Sequence, residues 1–262
     1  MPQIDAIYIA FNTMTTTAIR HSELRSALQW YFESKNLAIK NALELLCPLS
    51  PEQQKELRQY YSEYFVSLVS ATELLCESNY EFSIQFKDQL HNSLSFEKFP
   101  DGKGNYDYLR ELRNSIVHRG LDICSAGRLY ENRLLLLAPA TVSDRNGKKS
   151  FPAFGNYLIE IIAKCEESIG PLIAEHLDRV GLLKPLLTQE QAKTEAIRYL
   201  AGAAAAPDWI KQNASNFISQ LDFVQVQTSA IEKLIDILKF NALFSENENQ
   251  PCNAPDLAQK SK

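Results

Sequence analysis

In this 262-residue sequence, the side chains best suited to chemistry stand together in the octad Arg113-Asn114-Ser115-Ile116-Val117-His118-Arg119-Gly120. A histidine titrates near neutrality and can take and return a proton at working pH. An arginine can hold a phosphate and offset the charge that builds up in a phosphoryl-transfer transition state. Asn114 and His118 are four residues apart and share one helix face. Arg113 stands about 140° round the helix from His118 at 3.6 residues per turn, and its long side chain can curl toward the same pole. With Asn114 orienting either partner, the set could cut RNA by attack of the RNA's own 2′-OH on the phosphate, with no metal. An Arg followed a few residues later by a His is a common pattern in itself. The bland alternative is an ordinary helix end.

The setting favours the sharper reading. Tyr106 to Arg119 is strongly helical, with Tyr108, Leu109, Leu112, Ile116 and Val117 apolar, and Gly120 stands where a helix is closed by glycine. The whole chain carries a net charge of −5, too acidic for a general nucleic-acid coater. Between Lys103 and Lys149, however, nine basic residues stand against five acidic ones. Arg110 and Arg119 beside the motif, and Lys148 and Lys149 further on, are the expected contacts to an RNA backbone. The competing view of this zone is a solvated polar face. Glu111 is within reach of Arg110 or Arg113 as an orienting group. His91, His21 and His176 read as surface residues, and the Tyr60, Tyr61, Tyr64 and Phe65 cluster reads as core rather than a base-stacking platform. No glycine-rich phosphate loop, zinc-protease helix or serine-hydrolase elbow occurs.

The elements that must carry the motif are largely helical. Thr17 to Leu46 shows apolar residues at three- and four-residue steps, ended by Pro48. Ser50-Pro51-Glu52 then supplies a cap, a first-turn proline and an early acid for a second long helix ending near Glu77. Two such helices with a short connection predict an antiparallel pair. A weaker helix is expected over Glu81 to Leu94. Arg128 to Pro152 breaks the helical rhythm, and Asp144-Arg145-Asn146-Gly147 gives a type I′ turn signal, so one inserted β-hairpin is expected about 128–152. Tyr157 to Val180 is helical again, with Gly170-Pro171 expected to kink or break it. Weaker helices follow at about 189–201, 207–219 and 223–241, with a flexible joint at Ala203 to Ala206. The segment from 244 to 262 is polar and aperiodic and reads as a disordered tail.

Five widely spaced cysteines without a C-x-x-C argue against disulfides or zinc, and the first four read as buried thiols. No signal peptide or membrane span is expected, which points to the cytoplasm. No metal or cofactor is expected.

YDYLRELRNSIVHRG, Tyr106 to Gly120, resembles the signature helix of HEPN domains, whose motif is R-x(4–6)-H with a polar residue, often Asn, after the Arg. Arg113, Asn114 and His118 match it position for position. The two long helices before it and the helix after it, near 154–183, agree with the HEPN bundle, so the resemblance covers about 17–183. It implies an all-α fold: a HEPN-like bundle over 1–187 with the inserted hairpin, accessory helices over 188–243 and the tail. It further implies a homodimer in which two motif helices build one composite cleft. The activity implied is a metal-independent endoribonuclease of toxin–antitoxin or antiviral-defence type, with an antitoxin or regulatory partner. The alternative is a catalytically inactive HEPN module that binds RNA or a nucleotide, or serves as an antitoxin or assembly partner. In one toxin subgroup a Tyr lies two residues past the His. Gly120 holds that position here, which speaks against the regulation by AMP transfer known for that subgroup.

Overall fold

A computed structural model describes residues 2–202, 207–241 and 243. The expected joint at Ala203 to Ala206 and the tail from 244 to 262 lie outside the described residues. The element order is α1 (Pro2–Glu44), α2 (Pro51–Cys76), α3 (Ser83–Ser93), α4 (Gly102–Arg119), β1 (Gly127–Tyr130), β2 (Arg133–Leu136), β3 (Thr141–Ser143), β4 (Ser150–Pro152), α5 (Leu158–Arg179), α6 (Gln189–Gly202), α7 (Asp208–Ser219) and α8 (Phe223–Lys239). The chain is mostly helical, with two small two-stranded sheets between α4 and α5. Among the described residues no helix is long and apolar enough to cross a membrane.

Two compact units emerge. One is built from α1 up to Gln29 and from Ile173–Leu238; the other is built on Trp30–Leu172. The divisions therefore fall inside α1 and α5, whereas the sequence suggested a boundary near residue 187. In the first unit Arg25 donates to the carbonyls of Leu182 and Lys184 at 3.5 and 3.4 Å. Gln227 accepts from the N–H groups of Leu186 and Leu187 at 3.0 and 3.2 Å, tying α8 to the turn before α6. His176, expected at the surface, is fully buried here. It lies three residues past Ile173 and seven past Ile169, on the apolar stripe of α5, so helix geometry turns it inward. Burial, followed by the nearby Arg179 charge, lowers its pKa to about 4. His21 is half-buried.

The second unit carries the motif. Ser50 caps α2 with a full capping box: its hydroxyl accepts from Gln53 N–H at 3.2 Å, and the Gln53 side chain accepts from Ser50 N–H at 2.9 Å. Tyr61, Tyr64 and Phe65 are buried as core. Buried in the same unit are Phe32 and Ile39 of α1, Phe86 and Leu90 of α3, Leu109 and Leu112 of α4, and Ile161 and Ile162 of α5. Each such side chain withdrawn from water stabilises the fold by about 1.5–3 kcal/mol. One ion pair lies within this core. Lys35 Nζ donates to both Glu166 oxygens at 2.7 and 2.8 Å, and Tyr64 OH donates to Glu166 Oε1 at 2.7 Å.

α5 runs unbroken through Pro171, so the expected break is absent; a proline inside a helix removes one backbone donor and can be accommodated by packing. Among the four cysteines described, none is disulfide-bonded and only Cys165 is fully buried; Cys47, Cys76 and Cys124 are half-buried. The expectation of four buried thiols is corrected to that extent.

Where one hairpin was expected there are two. β1 and β2 pair antiparallel with Tyr130 opposite Arg133. Their two-residue turn, Glu131-Asn132, has positive φ at both positions (45° and 63°), as a type I′ connection demands. β3 and β4 pair with Val142 opposite Phe151. Here the expected type I′ turn is replaced by a longer loop. Gly147 N–H donates to Asp144 O at 3.0 Å, and Gly147 is the loop residue at positive φ. Arg145 and Asn146 are not at positive φ, and glycine takes the left-handed place.

Candidate active site

Helix α4 is fixed at both ends. At its start Asp101 accepts from Gly104 N–H at 2.9 Å. Gly102 meets the end of α3 so closely that a Cβ there would sit 1.7 Å from the carbonyl oxygen of His91. The buried Asn105 donates from Nδ2 to Leu94 O and Phe99 O, both at 2.8 Å. At its end Gly120 takes the left-handed conformation (φ 67°), and Leu121 N–H returns to Ser115 O at 3.0 Å. Between these ends, Tyr106 OH lies 3.0 Å from the Thr72 hydroxyl of α2, and Tyr108 OH donates to Pro139 O at 2.9 Å. The inner face (Tyr108, Leu109, Leu112) is buried. Asn114 and His118 lie away from that face, and Arg113 lies on its flank.

Arg113 projects beside α2 and is ion-paired through Nη2 with Glu73 Oε2. Its side chain is 17% exposed, and its buried Nε has no hydrogen-bond acceptor. Arg110, one turn earlier, approaches the same carboxylate, Nε to Glu73 Oε1 at 3.6 Å, and also Asp107 at 3.6 Å. Asn114 donates to Glu111 Oε1 at 3.2 Å. His118 is exposed in the last turn, with no hydrogen-bond or ion-pair partner among the described residues. Val117 beside it is 50% exposed. Within one chain, Arg113 and His118 are not in contact through any hydrogen bond; about 7.5 Å of helix rise and 140° of turn separate their backbone positions.

The basic residues around the motif have different fates. Arg119 is drawn into the structure: Nη1 donates to Ser143 O at 2.6 Å and Asp144 O at 3.1 Å, and Nη2 bonds the Ser115 hydroxyl and approaches Glu111 at 3.4 Å. It fastens the β3–β4 hairpin to the end of α4. Lys148 and Lys149 stand exposed on that hairpin, so the tie carries them to the motif end of the helix. Glu111 serves Arg119 and Asn114, while Glu73 serves Arg110 and Arg113. Sequence reasoning had offered Glu111 for the two arginines and did not name Glu73. The partner is on another helix, 40 residues away, and no local spacing signals it. His91 is half-buried, its ring 6.0 Å from that of Tyr106.

A cavity of about 620 Å³ opens in the same unit between the start of α2 and the turn after α4, lined by Leu49, Lys55, Arg58, Asp122, Cys124 and Leu134 among others. No motif residue lines it. Among the described residues no group of three or more His, Cys, Asp or Glu side chains could hold a metal ion.

What the arrangement offers chemically is an exposed imidazole, a carboxamide held by a carboxylate, and a counterion-paired guanidinium along two turns of one rigid helix. Comparison with protein-family models, curated proteins and solved structures gives no match.

Proposed function

We propose that the chain is a HEPN-type endoribonuclease, independent of metal, whose active centre is composed of α4 helices from two copies. The observation that supports this reading is the sequence of Arg113, Asn114 and His118 along the last two turns of α4, with Arg113 on the flank against α2 and His118 exposed and without a partner among the described residues. In the proposed reaction His118 takes the proton from the RNA 2′-OH. The oxygen attacks the adjacent phosphorus, the 5′-oxygen leaves with a proton, and a 2′,3′-cyclic phosphate remains. Arg113 offsets the charge on the phosphoryl oxygens, and Asn114, four residues before His118, orients the histidine once RNA is bound. The separation of Arg113 from His118 within a chain, and the exposed Val117 between them, favour a centre completed by a second copy. Lys148 and Lys149 on the docked hairpin supply backbone contacts, and Arg110 a further one. Arg119 contributes by holding the hairpin. A toxin or antiviral-defence role in the cytoplasm, with a restraining partner, follows from the family resemblance alone.

One observation favours a second reading. Arg113 is already engaged by Glu73, as it would be in a module that binds RNA or a nucleotide without cutting it. The deciding experiment is incubation of total RNA and tRNA with purified wild type and His118→Ala in EDTA, with analysis of product ends. Cutting by wild type alone, with cyclic phosphate ends, is the expected result. Equal cutting by both proteins would refute the assignment of His118, and RNA binding without cutting would favour the second reading.

A further inference from the structure

We infer that Arg110 and Arg113 form a phosphate subsite whose internal counterion is Glu73, a carboxylate that an RNA phosphodiester must displace on binding. The inference rests on the RNA-directed reading above for the identity of the anion. Its physical basis is the convergence of two guanidinium groups, three residues apart on α4, on the two oxygens of one α2 carboxylate. Planar guanidinium forks that accept a carboxylate also suit a phosphate. Glu73 does not use all that the pair offers: Arg113 Nε is a buried donor with no acceptor. Burying an N–H without a partner is unfavourable, and an incoming oxyanion could take it as the guanidinium turns.

Glu73 and Arg110 are also substantially solvated, at 33% and 45% exposure. Ion pairs so exposed are weak, so the carboxylate can yield to a better ligand. Glu73 therefore does two things. It keeps the arginines paired and aimed while no substrate is bound, and it screens them from stray anions.

The test measures binding of a fluorescein-labelled, fully 2′-O-methylated oligoribonucleotide in EDTA by anisotropy. Methylation removes the nucleophile, so affinity is read without cleavage. Glu73→Gln should tighten binding about two- to fivefold relative to wild type, the range that a half-exposed ion pair sets. Combined with Arg113→Ala, the same change should give no gain. Circular dichroism checks folding; Glu73→Asp, which withdraws the charge by one methylene, carries the same expectation should Glu73→Gln not fold. Unchanged or weaker binding by the folded variant, an equal gain in the Arg113→Ala background, or no binding by any of the proteins would overturn the inference. Wild-type RNA cleavage with no gain for Glu73→Gln would leave the ribonuclease reading standing and remove the counterion. A gain that depends on Arg113, with no cleavage by any protein, would do the reverse.

Discussion

Replacing Lys35 by methionine removes one half of a buried ion pair and leaves the other half in place. Both side chains are almost wholly enclosed, 2% and 1% exposed. Glu166 would keep Tyr64 OH as a donor and lose both bonds to Lys35 Nζ. An unpaired buried carboxylate must either remain charged in a medium of low polarity or take up a proton. Measurements on such sites put the loss at about 3–5 kcal/mol, a large share of the 5–15 kcal/mol typical of a domain. At about 2–4 °C per kcal/mol for chains of this size, the transition should fall by roughly 10 °C. Thermal and urea unfolding followed by circular dichroism measure this. Lys35→Met/Glu166→Leu should recover most of the loss, because an apolar pair of similar volume is often no worse than the ions. Adding Tyr64→Phe should recover more, since Tyr64 OH would otherwise lose its acceptor. A loss below about 1 kcal/mol for Lys35→Met, or a double variant as unstable as the single one, would refute the view that this pair specifies the core by charge.

Three further outcomes are expected. Gly102→Ala places a methyl against the His91 carbonyl, which as backbone has little room to yield, and should cost about 1–3 kcal/mol or more, read by urea unfolding; an unchanged midpoint would contradict the close approach of α3 and α4. His176 has a folded pKa of about 4 against an ordinary value near 6.5, so its contribution is complete above pH 6.5 and lost as pH falls toward 4. Stability should drop by about 2 kcal/mol between pH 7 and pH 5 from this group, and the difference between wild type and His176→Gln should shrink over that interval. Arg119→Ala releases the β3–β4 hairpin from α4, so amides of Val142 and Phe151 should exchange with deuterium about fivefold faster or more, while those of the α2 core stay as they were.

Local chemistry proved readable in the sequence. The Ser50 cap, the glycine closing α4, the apolar faces of α2 and α5 and the extents of the last three helices follow from contacts within a turn or two, and these were expected from residue types alone. The start of the first helix was not. A run of threonines at 15–17 has low intrinsic helix propensity, yet α1 continues back to Pro2. Glu131-Asn132 lacks the glycine that usually marks a type I′ turn, so the region expected as one hairpin does not show in its sequence that β1 and β2 form a hairpin of their own. His176 was legible in principle, because the spacing that makes Ile169 and Ile173 inward-facing applies to it too. For the candidate site, the motif and its helix were plain. The pairing of Arg113 and Arg110 with Glu73 was not, since it depends on how α2 and α4 pack. The same holds for Arg119, whose charge suggested RNA and whose position gives it to backbone carbonyls of the hairpin.

The division of α1 and α5 between two compact units has a consequence for synthesis. Most of the unit that carries α4 is built on Trp30–Leu172, so that much of its chain is available before α5 is complete. The other unit needs the earlier part of α1 together with Ile173–Leu238. At about 5–20 residues per second on the ribosome, the segment before Trp30 waits several seconds for the helices that cover it. Most of the motif-bearing bundle can thus assemble on the nascent chain while the flanking unit is still incomplete, and in that interval its surfaces are open to a chaperone.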